Sequence, residues 1–326
     1  MATPFDMLTR RKRARLTSAT LSAGSNYQWQ LPRTGLLSEI RLSIRATIQT
    51  SDTVGSPNPL GCSAIIRRVR LTSNSAIDIY STSGANFTYL VAPFLDTEQV
   101  NVVGQNQGAD TLVVADDTTK NLDMIIPVTL NSRDPLGLIM LQNEQTLLTL
   151  SVEVEAIASL GTNIDSISVT IEPQIVFFTV PADVKAIPPL NVIHQITDQS
   201  MTVTGTGDVN FEPPRGNTYV SINHGLGMGV SGSDGWSRVR VQANQSDTWQ
   251  DDNPASLDMD YYRIHGSARR EGVIPIDFLG TTGLGNFGSG RDLFNSGLVT
   301  DFLTIITPTG NGTLYTVRRQ LVPLNP

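Results

Sequence analysis

Residues 39–48 read Glu39-Ile40-Arg41-Leu42-Ser43-Ile44-Arg45-Ala46-Thr47-Ile48, in which Ile40, Leu42, Ile44, Ala46 and Ile48 alternate with polar neighbours. Successive side chains of a strand point to opposite faces, so a period of two puts one face in a core and the other in water. The same alternation returns at Leu148, Leu150, Val152, Val154 and Ala156, at Ile167, Val169 and Ile171, and more briefly at Val239 and Val241. Turn clusters separate such runs: Gly55 to Pro59, Gly104 to Gly108, Gly205-Thr206-Gly207 and Gly310-Asn311-Gly312. Strands closed by short Gly, Pro and Asn turns predict an all-β chain of antiparallel sandwiches.

Composition agrees with that class. Charged residues make up 16% of the 326, well under the usual quarter or so, and hydrophobic residues 39%. Ser, Thr, Asn and Gln supply the polarity, beside 27 Gly and 18 Pro, as many turns require. The length suggests two domains with cores of their own, and the single cysteine, Cys62, excludes an intramolecular disulfide framework. No run of eighteen apolar residues predicts a membrane helix, and the basic run near residue 10 leads into the polar stretch Thr17 to Asn26, unlike a secretory signal.

Two short helices stand out. Phe87, Leu90, Val91 and Phe94 share a helical face that Pro93 should end after about two turns. In the second, Asn253 can cap, Pro254 suits the first position, Leu257, Tyr261 and Ile264 line one face, and Gly266 can close the end. Pro181, Pro188 and Pro189 mark a linker at 182–189 between domains spanning 27–181 and 190–326. The order of signals repeats across it, and Ile126-Pro127 answers Ile274-Pro275 at an offset of 148 residues, as a duplication would leave.

The net charge of −7 is uneven: residues 1–16 carry +4, leaving −11 for the rest. Arg10, Arg11, Lys12, Arg13 and Arg15 are therefore expected to form a basic arm over residues 1–26, ahead of the first strand, free to touch an anionic surface such as lipid head groups. The acidic remainder disfavours wrapping nucleic acid, and Arg outnumbering Lys by 20 to 3 suits protein–protein contacts.

Catalytic and cofactor signatures are missing. His194, His224 and His265 lack metal-site spacing, Cys62 has no nucleophile context, and no Gly-x-Ser-x-Gly elbow occurs. Gly283-Leu284-Gly285-Asn286-Phe287-Gly288 matches a dinucleotide loop by letter, but the residues after it are poor helix formers, so no helix N-terminus would meet a pyrophosphate. Asp247, Asp251, Asp252, Asp258 and Asp260 lack calcium-loop spacing and read as a solvated loop leading into the capped helix. The sequons at Asn86, Asn244 and Asn311 carry little weight without a signal peptide. No catalytic, cofactor or metal residues are expected, and no enzyme activity.

Leu31-Pro32-Arg33-Thr34-Gly35-Leu36-Leu37-Ser38-Glu39-Ile40 before an alternating strand, and Asp134-Pro135-Leu136-Gly137-Leu138-Ile139-Met140-Leu141-Gln142-Asn143 before another, resemble the first half of double jelly-roll major capsid proteins. Tyr261-Tyr262-Arg263, then Arg269-Arg270-Glu271-Gly272-Val273-Ile274-Pro275-Ile276-Asp277-Phe278, are similar to the second half. The resemblance covers about residues 27–326. It implies two consecutive eight-stranded antiparallel jelly rolls with one short helix in each, and a coat protein of tailless icosahedral bacteriophages with an internal membrane, of the tectivirus and corticovirus kind. It further implies a homotrimer in the virion shell, neighbouring capsomers and vertex (penton) proteins as partners, the basic arm facing the internal membrane, and no sequence-specific nucleic acid. A rival reading is a secreted two-domain β-sandwich that binds or cleaves glycans, for which exposed aromatics and paired carboxylates would speak; Trp29, Trp236 and Trp249 are the only tryptophans. A third is a coat whose arm condenses RNA, for which five basic residues are few.

Overall fold

The computed structural model describes residues 5, 8–74, 77–95, 118–130, 136–142, 146–230, 234–244, 247–266, 268–278 and 293–324. The expected turn at Gly104 to Gly108 and the glycine-rich loop at 283–288 lie outside these residues. The chain divides into two compact units, the first formed by Met1–Thr88, Ala92–Thr197 and Pro323–Pro326, the second by Tyr89–Val91 and Asp198–Val322.

In the first unit the chain forms β1 (Arg11–Arg15), β2 (Ala19–Ser22), β3 (Asn26–Gln30), β4 (Leu36–Gly55), β5 (Ile66–Ser73), β6 (Ile77–Thr82), β7 (Thr118–Asn121), β8 (Met124–Pro127), β9 (Ile139–Met140), β10 (Leu148–Val154) and β11 (Thr162–Phe178). The deciding stretch lies in β4, where Ile40, Leu42, Ile44, Ala46 and Ile48 are all buried. Its long antiparallel partner is β11, with Ile171 opposite Ile44 and Val169 opposite Ala46, so two apolar faces share one side of the sheet. β7, β8 and β9 line the other edge of β4, and a second set runs β6-β5-β10-β3.

The second unit takes up β12 (Val192–Val203) after Thr197 and continues with β13 (Val209–Phe211), β14 (Thr218–Gly225), β15 (Trp236–Ala243), β16 (Asp247–Asp252), β17 (Val273–Ile274), β18 (Phe294–Asn295), β19 (Phe302–Pro308) and β20 (Gly312–Pro323). Tyr219 and Ile222 of β14 pack with Phe211, Val241 and Phe302 of β13, β15 and β19, which makes the unit a two-layer sandwich.

The two units repeat one pairing scheme over eight strands each. In the first, β3 pairs β10, β10 pairs β5, β5 pairs β6, and β4 pairs β8, β9 and β11. In the second, β13 pairs β19, β19 pairs β15, β15 pairs β16, and β14 pairs β17, β18 and β20. The Ile-Pro echo falls on β8 and on β17 with the residue that follows it, the same place in each scheme. One parallel contact departs from the antiparallel expectation: Ile196 and Thr197 of β12 run beside Tyr80 and Ser81 of β6.

A helix precedes each Ile-Pro strand. The first is a composite of an α-turn (Gly84–Asn86), a π-turn (Phe87–Val91) and a 3-10 turn (Ala92–Phe94). Pro93 has no N–H, and its ring crowds the carbonyl four residues back, so the ladder slips: the Ala92 amide donates five residues back, to Phe87. The second, Pro254–His265, forms as its sequence predicts. The Asn253 side chain accepts from the Ser256 amide, the Ser256 hydroxyl accepts from the Asn253 amide, Leu257 and Tyr261 are buried, and Gly266 closes the end at φ 66°.

Three expectations need correction. Residues 11–26 do not form an arm ahead of the fold, since β1 and β2 pair with β11 and β3 pairs with β10. The division between units falls after Thr197 and not at the prolines, because the start of β12 pairs with β6. The acidic stretch at 247–252 is strand β16, held against β15, where Arg238 and Arg240 offset its charge.

Candidate functional site

Arg11 to Arg15 have no apolar periodicity, and their strand is dictated by the partner. Arg11 sits opposite Phe178 and Arg15 opposite Gln174, and Arg10 extends the ladder, its amide donating to Thr179 Oγ1 at 2.9 Å and its carbonyl accepting from the Thr179 amide. Arg11, Arg13 and Arg15 share one face by alternation, Lys12 the other, and all four are exposed. β1 is the edge of its sheet among the described residues, and charged side chains there discourage uncontrolled pairing with another chain. Glu39, buried in β4, holds Arg11 at 3.2 Å and Arg41 at 2.6 Å. Arg10, Lys12, Arg13 and Arg15 have no acidic partner among the described residues. Phe5 anchors the strand from its N-terminal side, packed edge-on against Phe178 with ring centroids 5.3 Å apart.

The densest polar centre lies in the second unit, around Arg269. Its guanidinium, almost wholly buried, makes a bidentate pair with Asp234 at 2.9 Å for both bonds, donates through Nε to Asp258 at 2.8 Å and through Nη1 to the Val273 carbonyl at 2.6 Å. It also lies 5.3 Å over the Trp236 ring. Asp234 in turn accepts from the Gly272 amide at 2.7 Å. Gly272 has φ 77°, and a Cβ there would stand 2.7 Å from the Met228 amide, so only glycine fits. Burial alone would push the Asp234 carboxyl up, yet the bonds from Arg269 and Gly272 hold it below its ordinary value. This centre ties the loop before β15, the capped helix and the chain entering β17 to one side chain.

A cavity of about 840 Å³ opens beside that helix, with Val241, Leu257, Ile276 and Phe294 among its apolar residues and Trp249 half-exposed. Asp251, Asp252, Asp260 and Asp277 also line it. Exposed tryptophan beside carboxylates is what a glycan site would offer, but Asp251 is clamped by Arg238 and Asp260 lies 3.4 Å from Arg263. The hydrogen bond from Arg238 holds the Asp251 carboxyl below its ordinary value, the reverse of what a general acid needs.

The remaining sequence candidates are dispersed. His194 and His224 are buried, His265 ends the capped helix, and Cys62 is buried in a 3-10 turn. Asn86 is buried within the composite helix, which withdraws that sequon from modification. No group of three His, Cys, Asp or Glu able to hold a metal ion occurs among the described residues. No helix among them is long and apolar enough to cross a membrane.

No protein-family model matches the chain, and no curated protein matches it. Solved structures do. The chain is similar to the STIV MCP, at 13% identity over 96% of this chain and 97% of that one, with a TM-score of 0.71. A chain in the atomic structure of Sulfolobus Turreted Icosahedral Virus matches at 14% identity, 96% and 91% coverage and a TM-score of 0.69. The major capsid protein P2 from Bacteriophage PM2 matches at 12% identity, 97% and 98% coverage and a TM-score of 0.57. Identities this low establish architecture, and with the repeated pairing scheme they place the chain in the double jelly-roll fold along almost its whole length.

Proposed function

We propose that this chain is a major capsid protein that assembles as homotrimers into an icosahedral virion shell around an internal membrane, with neighbouring capsomers and vertex proteins as partners. The observation that carries the reading is the internal repeat: two units with the same eight-strand pairing order and a helix at the same point, matched end to end by capsid proteins. Two similar lobes per chain make a six-lobed ring when three chains close cyclically, and such a ring tiles a shell. The reading needs no catalysis. Purified protein is expected to scatter light as three chain masses and to show pseudo-hexagonal particles in negative stain; a monomer at micromolar concentration that forms no larger particles would overturn it.

The basic strand is the part of the reading that faces lipid. Lys12, Arg13 and Arg15 are exposed on a folded edge with no acidic partner among the described residues, and each contributes about 1 kcal/mol near an anionic bilayer, multiplied by the copies in a lattice. Removing residues 1–16 would be the wrong test, because it strips β1 and Phe5 from the fold. Lys12→Gln, Arg13→Gln and Arg15→Gln together leave the strand paired. This triple variant should lose on the order of a hundred-fold in co-flotation with anionic liposomes at low salt, while neither protein floats with neutral ones. Equal flotation of variant and parent would remove the membrane role.

A further inference from the structure

The capped helix Pro254–His265 carries two apolar stripes, and the fold uses one. Leu257 and Tyr261 are buried against the unit. On the opposite side Ala255, Met259, Tyr262 and Gly266 follow one another at spacings of four, three and four, and all are exposed, Met259 to 75% and Tyr262 to 63%. That spacing is the seam of a coiled coil, where every second step closes a heptad and the line of residues faces another helix. Small residues stand at both ends of the seam and large ones in the middle.

Charge identifies the partner. Asp258, just before Met259, flanks the seam on one side, and Arg263, just after Tyr262, flanks it on the other; both side chains are at least half exposed, although Asp258 Oδ1 also accepts from Arg269 and Arg263 lies 3.4 Å from Asp260 of its own helix. In a parallel pair of such helices a residue on one flank meets the residue five places later on the neighbour's other flank, so Asp258 meets Arg263 of the next copy. An antiparallel pair would bring like flanks together. Copies related by a cyclic axis present equivalent helices in parallel when the helix runs along that axis, which is the arrangement this flank pairing requires. We infer that the face of Ala255, Met259, Tyr262 and Gly266 is the contact through which copies of this chain close around their cyclic axis, helix beside parallel helix. The inference rests on the trimer reading above and gives it a surface.

Met259→Glu tests it, since an exposed side chain can change without cost to the unit. The variant should keep its far-ultraviolet circular dichroism and Tm as a chain, but associate at least about thirty-fold more weakly, the effect of losing one interface anchor. Tyr262→Asp should do the same. Met259→Cys should form a disulfide between copies under mild oxidation, with the parent, whose Cys62 is buried, as the control. A folded Met259→Glu protein that remains trimeric overturns the inference and leaves the capsid reading standing. Cross-linking only when Met259→Cys is combined with Tyr262→Cys overturns the parallel arrangement in favour of an antiparallel one. A monomeric parent overturns the trimer, and the contact with it.

Discussion

Arg269→Met is expected to destabilise the second unit by about 3–5 kcal/mol and to lower its unfolding temperature by on the order of 10–20 °C, measured by calorimetry and denaturant titration. The size follows from what stays behind. Asp234 keeps its place beside Gly272 with no cation across from it, and an ionised carboxylate that remains partly buried after losing its bidentate partner is stranded. The Val273 carbonyl loses its donor too, and the Trp236 ring its guanidinium. Asp258→Asn should cost far less, about 1 kcal/mol or under, because that carboxylate is half exposed and its bond is screened by water. Combining Asp234→Leu with Arg269→Met should be milder than the sum of the two single changes, since removing both charges leaves neither unpaired. A loss under 1 kcal/mol for Arg269→Met would mean that the centre is decoration on a unit stabilised elsewhere.

What could be read in the sequence was what short-range physics decides. The capped helix is legible in the sequence because Asn253, Pro254 and Gly266 act within one turn of the backbone they satisfy, although the reciprocal bond from Ser256 shows only in the structure. The strands β4, β10 and β11 were legible because each buries one face, and burial writes a period of two into the chain. β1 was not. Its charges have no period, and it is a strand because the edge of β11, far along the chain, offers carbonyls and amides to pair. β16 is hidden for the same reason, as its aspartates read as loop until the arginines of β15 are placed opposite. The Arg269 centre had no signal at all: Asp234, Trp236, Asp258 and Arg269 share no local spacing, and only the fold brings them together.

The parent protein is expected to lose on the order of 4 kcal/mol of stability between pH 6.5 and pH 3 through the protonation of His224. The imidazole is fully buried on β14, with Nδ1 2.8 Å from the Thr316 hydroxyl and the Phe211 ring at 5.1 Å. Nε2 has no hydrogen-bond partner among the described residues. Burial disfavours the charged ring and lowers its pKa to about 3. An unfolded chain takes up the proton near pH 6.5, the folded chain only near pH 3, so between these values the unfolded state holds more protons and stability falls as the solution is acidified. Above pH 6.5 the contribution is complete and flat; below about pH 3 both states are protonated and the loss is at its limit. Carboxylates such as Asp234, held below its ordinary value, also weaken the protein in acid, so the measurement is the difference between the parent and His224→Gln. Glutamine can still meet Thr316 but does not titrate. The two stability curves should diverge as pH falls through this window, the variant losing less. Parallel curves would show that His224 is already reached by water in the folded protein.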